Sequence, residues 1–165
     1  MKKVVLLLLC LFLYACSGKT PVLNKSDAEE VLSFAKEYGF VETGRKEAED
    51  CTAVDLYGDV ERADYYLTLW SYKDGGVMDM TLDAVGRMDR DFFYELFSLP
   101  LEHEWARERV LNDLKEVLDN EAGGTVSFRN DSLVLEGDIT ISHVHIELKD
   151  VAFDTWMKER GYSYE

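Results

Sequence analysis

The sequence predicts an α+β fold: an antiparallel sheet with helices mostly packed on one face, in the order α-β-β-β-α-α-β-β-α. Three observations predict it. Period-two alternation of apolar and polar residues recurs on both sides of the middle of the chain. Tight-turn residues, Asp74-Gly75-Gly76 and Asn130-Asp131, interrupt that alternation, and strands joined by such short turns pair antiparallel. The segments between and beside the strands carry apolar residues at helical spacing instead.

The elements follow in order. Ser26-Asp27-Ala28-Glu29 has the Ser-x-x-Glu form of a capping box, and Ala28, Val31, Leu32 and Ala35 continue at helical spacing to Gly39, so the first helix covers about 27–38. Phe40 and Val41 start a short strand, and Thr43 to Asp50 is expected as a charged loop. Thr52 to Tyr57 is strand-like, with Gly58-Asp59 as punctuation before the long alternating run from Arg62 to Lys73. A hairpin at Asp74-Gly75 sets Leu69 opposite Met80, Leu67 opposite Leu82 and Ser71 beside Met78. The other side of that hairpin then pairs Trp70 with Asp79, Thr68 with Thr81 and Tyr66 with Asp83. Asp89 caps a helix carrying Phe92, Phe93 and Leu96, and Pro100 suits the first turn of the next, which runs to about Asn120. Its stripe is Val110, Leu111, Leu114, Val117 and Leu118, with Trp105 on the opposite side. Val126 to Asn130 and Ser132 to Glu136 form a second hairpin. Asp138 to Leu148 is strand-like with a slip in apolar phase that a bulge near Ser142-His143 would explain. Asp150 caps the last helix, which buries Phe153, Trp156 and Met157 and stops at Gly161. This order of elements is similar to that of the compact α+β type III secretion chaperones, in element order alone.

With 165 residues, 47% apolar and 31% charged, the chain has the composition of one globular domain. A net charge of −15 argues against a nucleic-acid partner, which requires a basic face. Two prolines and three cysteines exclude a Pro-rich linker and a disulfide-stapled miniprotein.

The N-terminus carries the clearest signal. Lys2 and Lys3 precede an apolar run from Val4 to Tyr14, too short to span a bilayer and fitting a secretory signal. Leu13-Tyr14-Ala15-Cys16 resembles the lipobox of bacterial lipoproteins, with Tyr14 in place of the usual small residue. The resemblance covers residues 1–16 only. It implies cleavage before Cys16, a diacylglycerol thioether on its sulfur, and a place in the cell envelope; Ser17 resembles the pattern that sorts such proteins to the outer membrane of enteric bacteria. Loss of Lys2 and Lys3 would take the charge from −15 to −17, so acyl chains rather than charge would hold the protein at a membrane. Residues 16–25 read as a tether and 26–165 as a single acidic domain.

Candidate chemistry is sparse. Cys51 has no intramolecular partner once Cys10 leaves with the signal and Cys16 is acylated, and is expected as a small buried apolar residue. His103-Glu104 opens like a zincin motif, but Arg107 stands where the second histidine would be. His143 and His145, two apart on a strand, share a face and are the weak candidates for metal. Acidic residues form no Asp-x-Asp-x-Asp-Gly calcium loop, and there is no phosphate loop, nucleophile elbow or nicotinamide fingerprint, so no cofactor is expected. The most specific candidate is the hairpin face of Tyr66, Trp70 and Tyr72 with Asp79 and Asp83: exposed aromatics supply rigid contact area, and the acids favour a basic partner. The competing reading is that a helix or the tether covers this face. The expected function is therefore a lipid-anchored, non-enzymatic binding or assembly module, of a protective or immunity type in its narrower form. The alternatives are a metal-dependent hydrolase built on His143/His145 and a structural spacer.

Overall fold

The structure, a computed structural model, describes residues 21–23, 27–60, 62–86, 89–120 and 122–162. The expected signal segment, Cys16 and Ser26 lie outside these residues. The expected class holds, and the segments read individually as strands give four in the first half and three in the second, one more in each than the order α-β-β-β-α-α-β-β-α counts. Helix α1 (Ala28–Glu37) leads into strands β1 (Val41–Glu47), β2 (Cys51–Val60), β3 (Ala63–Tyr72) and β4 (Val77–Gly86). Helices α2 (Arg90–Ser98) and α3 (Glu104–Leu118) follow, then β5 (Gly124–Arg129), β6 (Leu133–Ile139), β7 (His143–Asp150) and helix α4 (Phe153–Arg160). The seven strands form one antiparallel sheet in the order β1-β2-β3-β4-β7-β6-β5, so two meanders meet where β4 pairs with β7.

Helices α1, α2 and α3 pack on the inner face of the sheet. Val31, Phe92, Phe93, Leu96, Val110 and Leu114 meet Leu56, Leu67, Leu69, Met80, Leu82, Ile146 and Leu148 in one continuous core. The short α4 lies on the outer face, where Phe153, Trp156 and Met157 pack with Cys51, Met78, Trp70 and Tyr72 in a second, smaller cluster. Helices are thus mostly, not wholly, on one side. Gly161 ends α4 at φ 71, a left-handed conformation that glycine adopts without steric cost.

Several boundaries differ from expectation, each for a local reason. The 43–50 segment is no loop: β1 occupies most of it as an exposed edge strand, its charged side chains guarding an open edge against further pairing. Gly58 does not interrupt β2; it sits against the Phe40 ring, and a Cβ there would stand 2.7 Å from that ring. The Trp70–Asp79, Thr68–Thr81 and Tyr66–Asp83 pairs form as expected, but a bulge places Ser71 opposite Val77 and frees Met78 for the outer cluster. Helix α3 begins at Glu104 rather than Pro100, and Leu111 is only half-buried. The phase slip in Asp138–Leu148 is a turn, not a bulge: Thr140 and His143 exchange hydrogen bonds between β6 and β7. The cap of α1 is Asp27, whose carboxylate accepts from the Glu29 N–H at 2.9 Å. Asp150 stands two residues before the α4 cap but still accepts from the Ala152 N–H at 2.8 Å.

Residues 21–23, read in the sequence as tether, are docked. Leu23 is buried in the main core, its N–H donates to the Val77 carbonyl at 2.7 Å, and the Val22 N–H donates to Asp150 at 3.2 Å. The chain therefore joins the domain at the end of the sheet formed by the Asp74–Gly76 turn and the end of β7.

Candidate binding face

Cross-strand register lays out the outer face as rows. Tyr57, Tyr66, Asp83, His145 and Asp138 lie side by side on β2, β3, β4, β7 and β6. The next row toward the tether end is Asp55, Thr68, Thr81, Glu147 and Glu136, and the one after it Ala53, Trp70, Asp79, Lys149 and Val134. The five residues expected to share one open aromatic and acidic face do share a face, but α4 divides it.

At the tether end the face is closed. Trp70 is half-buried with its ring 5.9 Å from that of Phe153, and Tyr72 is likewise half-buried in the α4 cluster. Asp79 is 0% exposed. Its Oδ2 accepts from the Thr81 hydroxyl at 3.4 Å, and its Oδ1 has no hydrogen-bond partner among the described residues. Burial, reinforced by Glu147, drives the Asp79 carboxyl well above the usual carboxylate range, so the neutral acid is the favoured form there. The expectation that Trp70, Tyr72 and Asp79 form an open docking surface is corrected accordingly: the last helix needs a second apolar surface, and this is it. Cys51 is buried as expected, 1% exposed, in the same cluster.

At the far end the face is open. Tyr66 is 53% and Val85 49% exposed, and Val41, beside Tyr57 on the edge strand, is 58% exposed. The exposed Ile141 lies in the β6–β7 turn, whose Ser142 carbonyl accepts from Gly86 just beyond Val85. Tyr57 and Tyr66 lean together with centroids 5.2 Å apart, and the Tyr57 hydroxyl donates to Asp64 at 2.6 Å. That hydrogen bond, with some desolvation, pushes the Tyr57 phenol up to about 12. Asp59 and Asp64 are exposed beside the rings, and Asp83 is half-buried. Sequence reasoning missed Tyr57, Val41 and Val85 as members of this patch, because their neighbourhood depends on strand pairings between distant segments.

The histidines separate. His143 and His145 both stand exposed on the outer face, as their spacing predicts, and His145 Nδ1 lies 2.8 Å from Asp83 Oδ1. His103 stands at the N-terminus of α3 without a side-chain capping bond and lines a cleft with Val22, Glu102, Trp105 and Ser132, apart from the other two. Among the described residues no group of three or more His, Cys, Asp or Glu side chains is placed to hold a metal ion. No described helix is long and apolar enough to cross a membrane.

No family model, curated protein or solved structure matches this chain. The similarity in element order to type III secretion chaperones therefore carries no functional argument.

Proposed function

We propose that the protein is a bacterial envelope lipoprotein, anchored through acyl chains on Cys16, whose domain docks a basic protein partner on the open half of its outer face without catalysing a reaction. The observation that carries this reading is the patch of Tyr66, Tyr57, Val41 and Val85, uncovered by any described element and flanked by Asp59, Asp64 and Asp83. Tyrosines held by a neighbouring ring and a carboxylate present rigid contact area at little entropic cost. The acids beside them repel acidic surfaces and attract basic ones, in keeping with a net charge of −15.

The placement of the patch fits an anchored molecule. Cys16 lies five residue steps before Pro21, a reach of at most ~18 Å. Asp83 lies six steps along β4 from Val77, where the incoming chain pairs, or about 20 Å along the strand. The docking surface thus lies at the far end of the domain from its attachment.

A photocrosslinking residue at Tyr66 of the full chain, expressed in a bacterial envelope, should capture a basic protein, and the same residue at exposed Glu116 on α3 should not. Equal capture from both positions, or none from Tyr66, would overturn the docking reading. The anchor is tested separately: incorporation of labelled fatty acid should vanish in Cys16→Ala.

A further inference from the structure

We propose that helix α4 is a movable cover, held shut while Asp79 is neutral, and that its release extends the open patch along the whole outer face. The helix is eight residues long and rests on its own small cluster, separated by the sheet from the main core. Beneath it lie an aromatic pair, Trp70 and Tyr72, and a carboxylate that is fully enclosed with Oδ1 unpartnered among the described residues. A buried ionised carboxylate without full hydrogen bonding is costly, so closure and ionisation of Asp79 oppose each other.

The surrounding charges agree with this. From β7, Glu147 opposes ionisation of Asp79 and Lys149 favours it; from α4, Asp154 opposes it; β4 itself supplies the Thr81 hydroxyl, and β3 contributes Trp70, an uncharged neighbour in register. Lys149 does not neutralise Asp79, because its ammonium is engaged by Glu147 at 2.9 Å and Asp154 at 3.2 Å. Asp50 fastens the far end of the helix, accepting from Arg160 Nε at 2.6 Å and from the Tyr162 hydroxyl at 2.8 Å. Burial pushes the Asp50 carboxyl up, but those two hydrogen bonds outweigh it and hold it below its ordinary value, so this clasp stays charged as pH rises. Asp79 is the member of the contact that changes.

The direction follows from proton linkage. Below about pH 4, near the ordinary carboxyl value of 3.8, Asp79 carries its proton whether the helix is closed or open, and pH has no effect through it. Above that, opening releases the proton. The closed-to-open ratio then falls by up to tenfold per pH unit until the pH passes the raised value of the closed state. An open face carries Trp70, Tyr72 and an ionised Asp79 next to Tyr66 and Asp83. That this enlarges a docking surface rests on the function proposed above; the opening itself does not.

Cys51, buried under α4, reports opening directly. Full-length chain in detergent is labelled with N-ethylmaleimide from pH 5 to 8, and modification of Cys51 is read by peptide mass spectrometry. Dividing the wild-type rate by that of Asp79→Asn at each pH removes the titration of the thiol. The ratio should rise with pH by several-fold per unit, and a ratio independent of pH overturns the proposal. Hydrogen exchange on the wild type serves where the variant does not fold. Protection factors of α4 amides should fall with pH while those of β3 hold; joint loss in both elements means global unfolding and overturns the cover.

Discussion

The two ends of the outer face are built from the same alternating strands, yet one end is core and the other is surface. At the tether end, Trp70, Tyr72 and Met78 are roofed by Phe153 and Trp156; at the far end, Tyr66 and Val85 face solvent with acids beside them. The inner face shows no such division: three helices pack on it, and its residues on β3, β4 and β7 are buried in one continuous core. Aromatic residues on a strand therefore do not by themselves leave it open; the outer face stays surface only where no other element of the chain packs on it.

The main core and the α4 cluster should respond very differently to loss of a buried ring. Phe93→Ala, in the fully enclosed inner core, should cost about 3–5 kcal/mol and lower the urea midpoint of the whole domain. Phe153→Ala removes an equally buried ring, but one whose partners belong to the small cluster. Its loss should appear mainly as vanished exchange protection in α4, with the global midpoint falling by less than in Phe93→Ala. Equal midpoints would mean that the two clusters melt as one unit, and the separation of the faces would fail.

Asp79 sits within the covered half and is the buried carboxyl group there. Asp79→Leu at neutral pH should stabilise the domain by ~1–3 kcal/mol, since it replaces a partly unsatisfied buried polar group with an apolar one. The sign reverses the usual effect of carboxylates. A group whose folded value is raised contributes fully below the unfolded value of 3.8, and that contribution is lost as pH rises toward the folded value. Wild type should therefore lose stability, relative to Asp79→Leu, as the pH of chemical denaturation is raised from 4 to 7.

How much of this was legible in the sequence depends on the range of the interaction. The β3–β4 hairpin was legible residue by residue, since Asp74-Gly75-Gly76 fixes the turn and parity fixes the faces. Of edge strand β1 only the start at Val41 was, because Arg45, Lys46 and Glu47 read as loop when the partner strand that orders them is unknown. The paired histidines were placed correctly by their spacing, whereas the engagement of His145 with Asp83 needed the β4–β7 pairing. The roof over Trp70 was the hardest part. Phe153, Trp156 and Met157 announce an apolar stripe, but not the face it seeks. A usable signal did exist: one inner sheet face already served by three helices leaves a fourth apolar helix little but the outer face.

On the open half the expected stability effects are small and the binding effects are not. Tyr66→Ala removes a half-exposed ring and should change stability by ~0.5 kcal/mol or less, while abolishing capture of the basic partner by a crosslinker placed at Val85. A stability loss comparable to that of Phe153→Ala would instead make Tyr66 part of a packed layer and erase the distinction between the two halves.

The smallest effect concerns how the open patch is held ready. The Tyr57 hydroxyl donates a hydrogen bond to Asp64 while its ring leans on Tyr66, so one hydrogen bond helps hold two rings. The carboxylate disfavours the phenolate, which is why this phenol is pushed up to about 12 from an ordinary 10. In Asp64→Ala, absorbance titration of the tyrosines should show one phenol returning from about 12 toward 10, with the urea midpoint unmoved because both groups are on the surface. Partner affinity should then fall a few-fold, through the rotational freedom regained by Tyr57 and the loss of one negative charge. Asp64→Asn would separate the two causes, keeping an acceptor for the phenol while removing the charge. Affinity restored to wild type by asparagine would assign the role of Asp64 to holding the ring, and affinity as low as in alanine would assign it to charge.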